Sequence, residues 1–262
     1  MKIVVCIKQV PGTNKVEVDP VTGVLNRNGV ESKMNPYDLY AIETALRLKE
    51  QNGANIRVIT MGPPQAEAVV REAYSLGVDE GIILSDRAFA GADVLATSRA
   101  ISQGIEMSGD FDLIICGKQS TDGDTAQVGP EMSEWLKLPS VTNVTEIIEC
   151  TDTDITVKRQ LPTATEVLKV KFPCLISVDK DIYIPRLPSY LKKAATKDRE
   201  IKYFGLKDLK DTDEKHYGLN GSPTQVQRIF PPDSNSDREL WQGNSDELTQ
   251  RIYDKLESLK FI

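Results

Sequence analysis

The sequence predicts an α/β protein with a mostly parallel sheet, a short antiparallel extension and an extended C-terminal arm. In the first half of the chain, apolar runs rich in β-branched residues alternate with helical patterns, which is typical of βαβ units and a parallel sheet. After Pro139 the runs become short and rich in Val, Ile and Thr, without helical periodicity between them. After Pro185 the density of apolar residues falls, so little of that segment is expected to bury itself.

The first half contains four strand–helix units. The predicted strands cover residues 2–8, 55–61, 81–85 and 111–116, and the predicted helices cover residues 36–52, 65–76, 93–107 and 124–137. Asn35 and Pro36 indicate the start of the first helix, since Asn is a common capping residue and Pro suits the first helical position. Gly53 is expected to end that helix, and Asp93 to cap the third.

The second half reads differently. Residues 144–150, 154–160 and 165–171 predict the antiparallel extension, and 174–178 one more buried strand. The stretch 16–25 alternates around a turn and predicts a small hairpin. Segment 186–202 is basic, 219–244 should lack regular structure, and residues 245–259 predict a final helix.

Composition limits the possible functions. The chain has 262 residues, which suits one large domain or one domain plus an appendage. Its net charge of −7 gives no basic footprint for nucleic acid. No apolar run approaches the roughly 20 residues that span a bilayer, and the first apolar stretch is too short for a secretory signal. The single histidine, His216, matches no catalytic pattern and is expected at the surface.

The four cysteines form no C-x-x-C pair, so no metal or redox motif is predicted. Cys6 and Cys116 lie in or at the end of apolar runs and are expected to be buried reduced thiols. Cys150 and Cys174 are equally scattered, and this pattern of unpaired cysteines is consistent with a reducing cytoplasm.

The segment most informative about chemistry is GKQSTDGDTAQVGP, residues 117–130, between a predicted strand and a predicted helix. Gly117 allows a tight turn, and the residues from Asp122 to Thr125 are placed at the helix start. The free N–H groups and positive dipole end of a helix N-terminus attract anions such as phosphates. The Thr125 hydroxyl could donate to a phosphate, and Gln127 could bond a phosphate, ribose or base. Asp122 and Asp124 would repel a phosphate, so they are expected to cap or to hold ribose.

A simpler interpretation of the same residues is a capping box from Asp124 to Gln127, and spacing alone does not separate the two. The stretch matches neither the P-loop nor the G-x-G-x-x-G pattern. Three other loops, residues 8–11, 61–64 and 85–93, also follow predicted strands. In a parallel sheet these loops meet at the edge where ligands bind.

Five ordered segments resemble the small (beta) subunit of the electron-transfer flavoproteins. They are KIVVCIKQVP, MNPYDLYAIETALRLKE, VITMGPPQAE, LGVDEGIILSDRAFAGADVLATS and LIICGKQSTDGDTAQVGPEMSEWLKLP. The resemblance implies a Rossmann-like domain with helices on both faces over residues 1–185, including the antiparallel extension. It further implies that residues 186–262 form a recognition loop and an arm wrapping the larger alpha subunit, which carries FAD.

The resemblance also implies the cofactor. Ordinary members hold a structural AMP in the small subunit, whereas electron-bifurcating members hold a second FAD in the same pocket. That FAD accepts hydride from NADH and splits the electrons between ferredoxin or flavodoxin and, through the alpha-subunit FAD, an acyl-CoA dehydrogenase-type partner. The run G-D-T-A-Q-V-G, residues 123–129, resembles the bifurcating members, and the small Gly123 and Ala126 would leave room for a dinucleotide.

The bifurcating type is therefore the leading hypothesis, with the chemistry supplied by the flavin and no catalytic side chain or metal expected. The residues expected in the cofactor-binding site are Cys6, Lys8, Asn35, Met61, Gly117, Asp122, Gly123, Thr125, Ala126, Gln127, Val128 and Gly129. Ala90, Gly91 and Asp93 are expected near the isoalloxazine and NADH.

Residues 185–199 resemble the family's recognition loop, with Leu187 as the exposed leucine that binds a dehydrogenase; an ordinary buried leucine is the alternative. One segment departs from the family, because residues 158–164, KRQLPTA, lack the usual Asp-Gly-Gly after a basic residue. Two alternatives stay open: an ordinary subunit with structural AMP and no NADH chemistry, and a stress-protein-like nucleotide-binding domain.

Overall fold

The computed structural model describes residues 1–12, 17–18, 25–26, 32–226 and 238–262. The strands are β1 (Lys2–Cys6), β2 (Gln9–Pro11), β3 (Glu17–Val18), β4 (Leu25–Asn26), β5 (Ser32–Met34), β6 (Asn55–Met61), β7 (Glu80–Leu84), β8 (Leu113–Gly117), β9 (Ser140–Cys150), β10 (Asp154–Gln160), β11 (Thr165–Lys171), β12 (Cys174–Val178) and β13 (Lys202–Phe204). The α-helices are α1 (Pro36–Asn52), α2 (Glu67–Leu76), α3 (Val94–Met107), α4 (Val128–Leu136), α5 (Tyr190–Ala195) and α6 (Ser245–Ser258).

A nine-stranded sheet in the order β11-β10-β9-β12-β8-β1-β6-β7-β13 forms the centre of the fold. The strands from β9 through β12 and β8 to β13 pair in parallel, whereas β10 pairs antiparallel with both β9 and β11. The predicted α/β class and antiparallel extension are therefore confirmed. The predicted hairpin is also confirmed in its backbone, because β3 pairs antiparallel with β4.

Helices cover both faces of the sheet, as predicted, because the strands place apolar side chains on both faces. On one face Val5 and its neighbours pack with Ile42 of α1 and Val70 of α2. On the other, Val4 packs in one cluster with Ile101 of α3 and Met132 of α4. A fully buried side chain of this kind contributes roughly 1.5–3 kcal/mol relative to an exposed one.

The order of the strands creates a switch point between β1 and β8. From β1 the chain proceeds to β6 and β7 on one side, whereas β8 and β12 lie on the other. The loops that follow β1 and β8 therefore diverge, which leaves a crevice at the carboxyl ends of the two strands.

Helix boundaries show two corrections. α4 begins at Val128 and not at residue 124, because Asp124 (φ 54°) and Ala126 (φ 55°) adopt left-handed backbone conformations that cannot continue into a helix. The predicted capping box from Asp124 to Gln127 is therefore wrong. Asn35 occupies the N-cap position of α1, but its side chain makes no capping bond; by contrast, Asp93 caps α3 as predicted and Gly53 ends α1 in a left-handed conformation.

Two compact units are found, Met1–Gln227 and Arg228–Ile262. Residues 186–226 thus lie in the same unit as the sheet, and β13 pairs with β7 at its edge. Tyr217 is almost fully buried, so this segment buries more of itself than the composition suggested. In the second unit α6 forms where the final helix was predicted. Among the described helices, none has the length and apolar character needed to cross a membrane.

Candidate functional site: a polar crevice at the switch point

Asn35 joins the loops on the two sides of the crevice. Its Nδ2 donates to the Gln119 carbonyl at 2.9 Å, and its Oδ1 accepts from the Thr121 N–H at 3.2 Å. The side chain thus bonds to the loop that follows β8, which explains why it does not cap α1. The predicted site residue Asn35 is therefore a cross-link within the crevice.

Asp38 orients Asn35 and the end of β1 together. Its Oδ1 accepts from Asn35 Nδ2 at 2.9 Å, and its Oδ2 accepts from the Lys8 N–H at 2.7 Å. Burial raises the pKa of this carboxyl to about 7, against the lowering effect of the bonds from Asn35 and Lys8. Gly117 is required beside it, because a Cβ there would lie 2.6 Å from Asp38 Oδ1 and 2.7 Å from the Tyr37 backbone carbon.

Lys8 forms an ion pair across the crevice. Its Nζ lies 2.7 Å from Asp122 Oδ1 and 3.5 Å from Ser120 Oγ. Burial alone would raise the pKa of Asp122, but the Lys8 ammonium and its hydrogen bond hold it below its usual value. The structure therefore brings together Lys8, Asn35, Gly117 and Asp122, four of the residues predicted from sequence.

Beyond Asp122 the loop is exposed and leads to an uncapped helix N-terminus. Residues 123–127 are all exposed, and Gln127, the N-cap residue of α4, makes no side-chain capping bond. Gly129 is buried, with its Cβ position 3.9 Å from Cys116 Sγ, which brings the first turn of α4 close to β8. Gly123, Thr125, Ala126 and Val128 lie along the same stretch, although Asp122 to Thr125 precede the helix and do not begin it.

Cys6 and Cys116 are register partners at the carboxyl ends of β1 and β8. Cys116 is buried as expected and Cys6 is only half-buried; both are free thiols. The hydrogen bond with Cys6 and burial both raise the pKa of the Cys116 thiol, so it is kept protonated. Met61 ends β6, the neighbouring strand, and is partly buried in the same cluster as Cys6.

The loop after β7 contains Ala90, Gly91 and Asp93. Asp93 does not present a free carboxylate, since Oδ1 accepts from the Ala96 N–H at 3.1 Å and Oδ2 from the Thr224 hydroxyl at 2.7 Å. Burial alone would raise the pKa of Asp93, but these bonds hold it below its usual value. The contact with Thr224 was not predicted, because nothing in the sequence links residues so far apart.

The crevice suits the diphosphate and sugar of a nucleotide. The uncapped N-terminus of α4 offers backbone N–H donors and a positive dipole end. Lys8 adds a cation and Ser120 a hydroxyl, while the carboxylates of Asp122 and Asp124 add hydrogen-bond acceptors. Of the described atoms around Gly123, only Ser120 Oγ lies within 4 Å of a Cβ position, at 3.4 Å, so that side of the loop is open.

Leu187 lies outside this crevice and is 87% exposed, so the alternative of a buried leucine is wrong. Ile184, Tyr190 and Leu191 beside it are also largely exposed. Arg186 anchors the segment to α1, with its Nε 2.8 Å from Glu43 Oε2.

Sequence reasoning missed Asp38, which is the residue that connects Asn35 with Lys8. A signal was present, since Asp38 follows Asn35 by one helical turn and is an acidic residue in an otherwise apolar helix face. Ser222 was also missed; its Oγ accepts a hydrogen bond from the Asp93 N–H at 2.8 Å.

Fold and crevice together define a doubly wound α/β protein with a polar site at the switch point of its sheet. The model of the electron transfer flavoprotein domain matches residues 22–209. The chain is 44% identical over 260 residues to electron transfer flavoprotein subunit beta of Thermoanaerobacterium thermosaccharolyticum, covering 98% of each protein. The chain belongs to the electron transfer flavoprotein beta-subunit family.

Two further relatives carry more specific names. One is the caffeyl-CoA reductase-Etf complex subunit CarD of Acetobacterium woodii, 42% identical over 264 residues and 100% of each protein. The other is the acryloyl-CoA reductase electron transfer subunit gamma of Anaerotignum propionicum, 40% identical over 267 residues and 98% of each protein.

Proposed function

We propose that this chain is the beta subunit of an electron-bifurcating electron-transfer flavoprotein and that it binds FAD in the crevice between β1 and β8. The observation that carries the proposal is the convergence of Lys8, Asn35 and the 117–127 loop beside the uncapped N-terminus of α4. FAD bound there would supply the hydride-accepting and electron-transfer chemistry between NADH and two acceptors, ferredoxin or flavodoxin and, through the alpha-subunit FAD, an acyl-CoA dehydrogenase-type flavoprotein.

The residues of this chain bind and orient the cofactor. Lys8 and the N–H groups at the start of α4 would hold the diphosphate, and Asp122 and Asp124 would accept from ribose hydroxyls. Cys6, Met61 and Gly117 would border the adenosine at the ends of three adjacent strands. The open space around Gly123, together with the small Ala126, supports FAD over the smaller AMP.

The relatives and the exposed surface support the proposed partners. Two relatives are named for acyl-CoA reductase systems, which supports a dehydrogenase-type partner for this chain. The exposed Leu187, flanked by the basic Arg186 and Lys192, supports docking of that partner at the recognition loop. The alpha subunit would be bound by the C-terminal arm.

The test is to co-purify the chain with its alpha subunit, extract with acid and count FAD and AMP per heterodimer. Two FAD and no AMP, with flavin reduction by NADH, is the expected result. One FAD and one AMP would contradict it and make this an ordinary subunit with structural AMP.

A variant tests whether the second flavin is bound in this subunit. Lys8→Met removes the cation at the crevice, so FAD retention is expected to fall to about one per heterodimer, with affinity about tenfold weaker or more. Lys2→Met is the matched control, since Lys2 lies at the opposite end of β1 and pairs with Asp110. Equal loss from both variants would contradict the site.

A further inference from the structure

A strap of residues 204–224 covers the loop of residues 85–93 in the described part of the chain. The strap begins at the end of β13, where the Ser85 N–H donates to the Phe204 carbonyl at 2.9 Å. Two residues further along the strap, the Leu206 N–H donates to Asp86 Oδ2 in the loop at 3.0 Å. The loop is therefore bonded to the strap from its first residues.

Residues 217–219 of the strap contact the centre of the loop. The Leu219 N–H donates to the Ala90 carbonyl at 3.0 Å, and the rings of Phe89 and Tyr217 lie 5.6 Å apart. Gly218 has a φ of 53°, and a Cβ there would lie 2.2 Å from the Ala88 carbonyl oxygen. Only glycine satisfies both conditions, so the strap and loop backbones are in direct contact.

At its end the strap forms hydrogen bonds with the backbone N–H and with one carboxylate oxygen of Asp93. The Asp93 N–H donates to Ser222 Oγ at 2.8 Å, and Thr224 donates to Asp93 Oδ2 through its N–H at 3.0 Å and its hydroxyl at 2.7 Å. The remaining carboxylate oxygen caps α3. This leaves Asp93 fixed between the loop, the helix and the strap.

The strap is itself anchored to α3 farther along the helix. Asp211 Oδ2 lies 2.6 Å from Arg99 Nη2 and 2.7 Å from His216 Nδ1, and the Asp211 N–H donates to Gln103 Oε1 at 2.8 Å. The Tyr217 hydroxyl donates to the Asp211 carbonyl at 2.7 Å. The strap therefore has a fixed base from which it can hold the loop.

We propose that the strap holds the 85–93 loop in the conformation that it uses at the NADH-binding side of the cofactor site, so that Asp93, Ser222 and Thr224 are positioning residues. The second half of this inference rests on the proposed function, because it takes the loop to lie near NADH. It reassigns Asp93, which acts through its neighbours and does not need to touch the dinucleotide.

The experiment compares the heterodimer with its Ser222→Ala/Thr224→Val variant by amide hydrogen exchange and by NADH kinetics. Loss of the two hydroxyls is expected to speed exchange in residues 85–93 by about tenfold or more and to raise KM for NADH, with FAD content unchanged. Thr165→Val, on β11 at the far edge of the sheet, is the matched control and should change neither quantity.

A second pair of variants distinguishes the effect of a Cβ that clashes with the loop from the effect of a non-glycine residue at positive φ. Gly218→Ala adds a Cβ against the loop, whereas Gly53→Ala adds one at φ 69° with no described atom within 4 Å. Faster exchange in residues 85–93 is expected only for Gly218→Ala. Exchange equal to wild type in both strap variants would overturn the strap, and faster exchange with an unchanged KM would overturn its role toward NADH. A wild-type heterodimer that contains AMP and does not react with NADH would overturn both the proposed function and the role of the strap toward NADH. In that case the hydrogen-exchange comparison would still show whether the strap holds the loop.

Discussion

Asp38 is a single carboxyl whose two acceptor oxygens face two donors, the Lys8 N–H and Asn35 Nδ2. The charged groups around it are Lys8, which favours the ionised form, and Asp122, which disfavours it. Cys116, whose pKa is raised in part by Asp38, lies on the β8 side. Burial dominates this balance, so Asp38 is protonated more easily in the folded chain than in the unfolded chain.

We therefore expect Asp38 to make the protein less stable as pH rises. A folded pKa of about 7 against 3.8 unfolded means that the folded state binds more protons between these values. The free energy of unfolding from this group should fall as pH rises from about 4 to about 7, by on the order of 4 kcal/mol.

Urea unfolding of wild type and Asp38→Asn between about pH 5 and pH 8 measures this effect. The substituted amide cannot ionise and turns its NH₂ group toward one of the two donors, so the variant should be less stable than wild type near pH 5. The difference between the two proteins should shrink toward pH 8. A constant difference across the range would show that Asp38 does not titrate there.

At the scale of elements, strands and helices followed from the sequence wherever periodicity and end signals agreed. Gly53 and Asp93 mark helix ends in both the sequence and the structure. The start of α4 could not be predicted, because the local sequence gives no signal that Asp124 and Ala126 adopt positive φ. β13 was missed because a strand of three residues pairs only through its tertiary position beside β7.

The site was partly predictable for the same reason. The strand-end rule correctly brought Lys8 and Gly117 together, since it depends only on a parallel sheet, whereas Asn35 was expected there from the family resemblance. The bonds of Asp93 to Ser222 and Thr224 join residues about 130 positions apart, which periodicity cannot reveal. The roles of all these residues toward a cofactor stay predictions.

The loop before α4 stores strain that a glycine would release. At Ala126, with a φ of 55°, the left-handed conformation costs about 1–2 kcal/mol for a residue with a Cβ. Ala126→Gly should therefore raise the free energy of unfolding by up to about 1 kcal/mol after the entropy cost of glycine. The control, Ala194→Gly in α5, should lower it by about 0.5–1 kcal/mol. Thermal unfolding of both variants gives the comparison, and equal destabilisation would argue against strain at residue 126.

At the scale of the whole molecule, the described residues of the second compact unit include one amphipathic helix, α6. Along α6 the apolar residues Ile252 and Leu256 follow one another at helical spacing, continued by Leu259, and all are exposed in this chain. An exposed apolar stripe of this kind favours burial against another chain. This is consistent with the proposed arm that wraps the alpha subunit.

We expect Ile252→Asp to weaken heterodimer formation by about tenfold or more, because it would bury an unpaired charge in the interface. Gln250→Asp is the matched control, since it adds the same charge two residues away and therefore on the opposite side of the helix. Titration of the two variants with the alpha subunit measures the difference. Equal affinities for both variants would place α6 outside the interface.

The switch point also determines when the crevice can exist during folding. Lys8 and Ser120, which meet there, are separated by 112 positions along the chain, and their loops approach only once β8 has paired with β1. Contacts at such separation form late, because a long stretch of chain must be closed before they are gained. As the protein is synthesised, a nucleotide therefore cannot bind until about half of the polypeptide has left the ribosome and the central strands have assembled. Under the proposed function, cofactor binding in this subunit would therefore follow the pairing of β1 with β8.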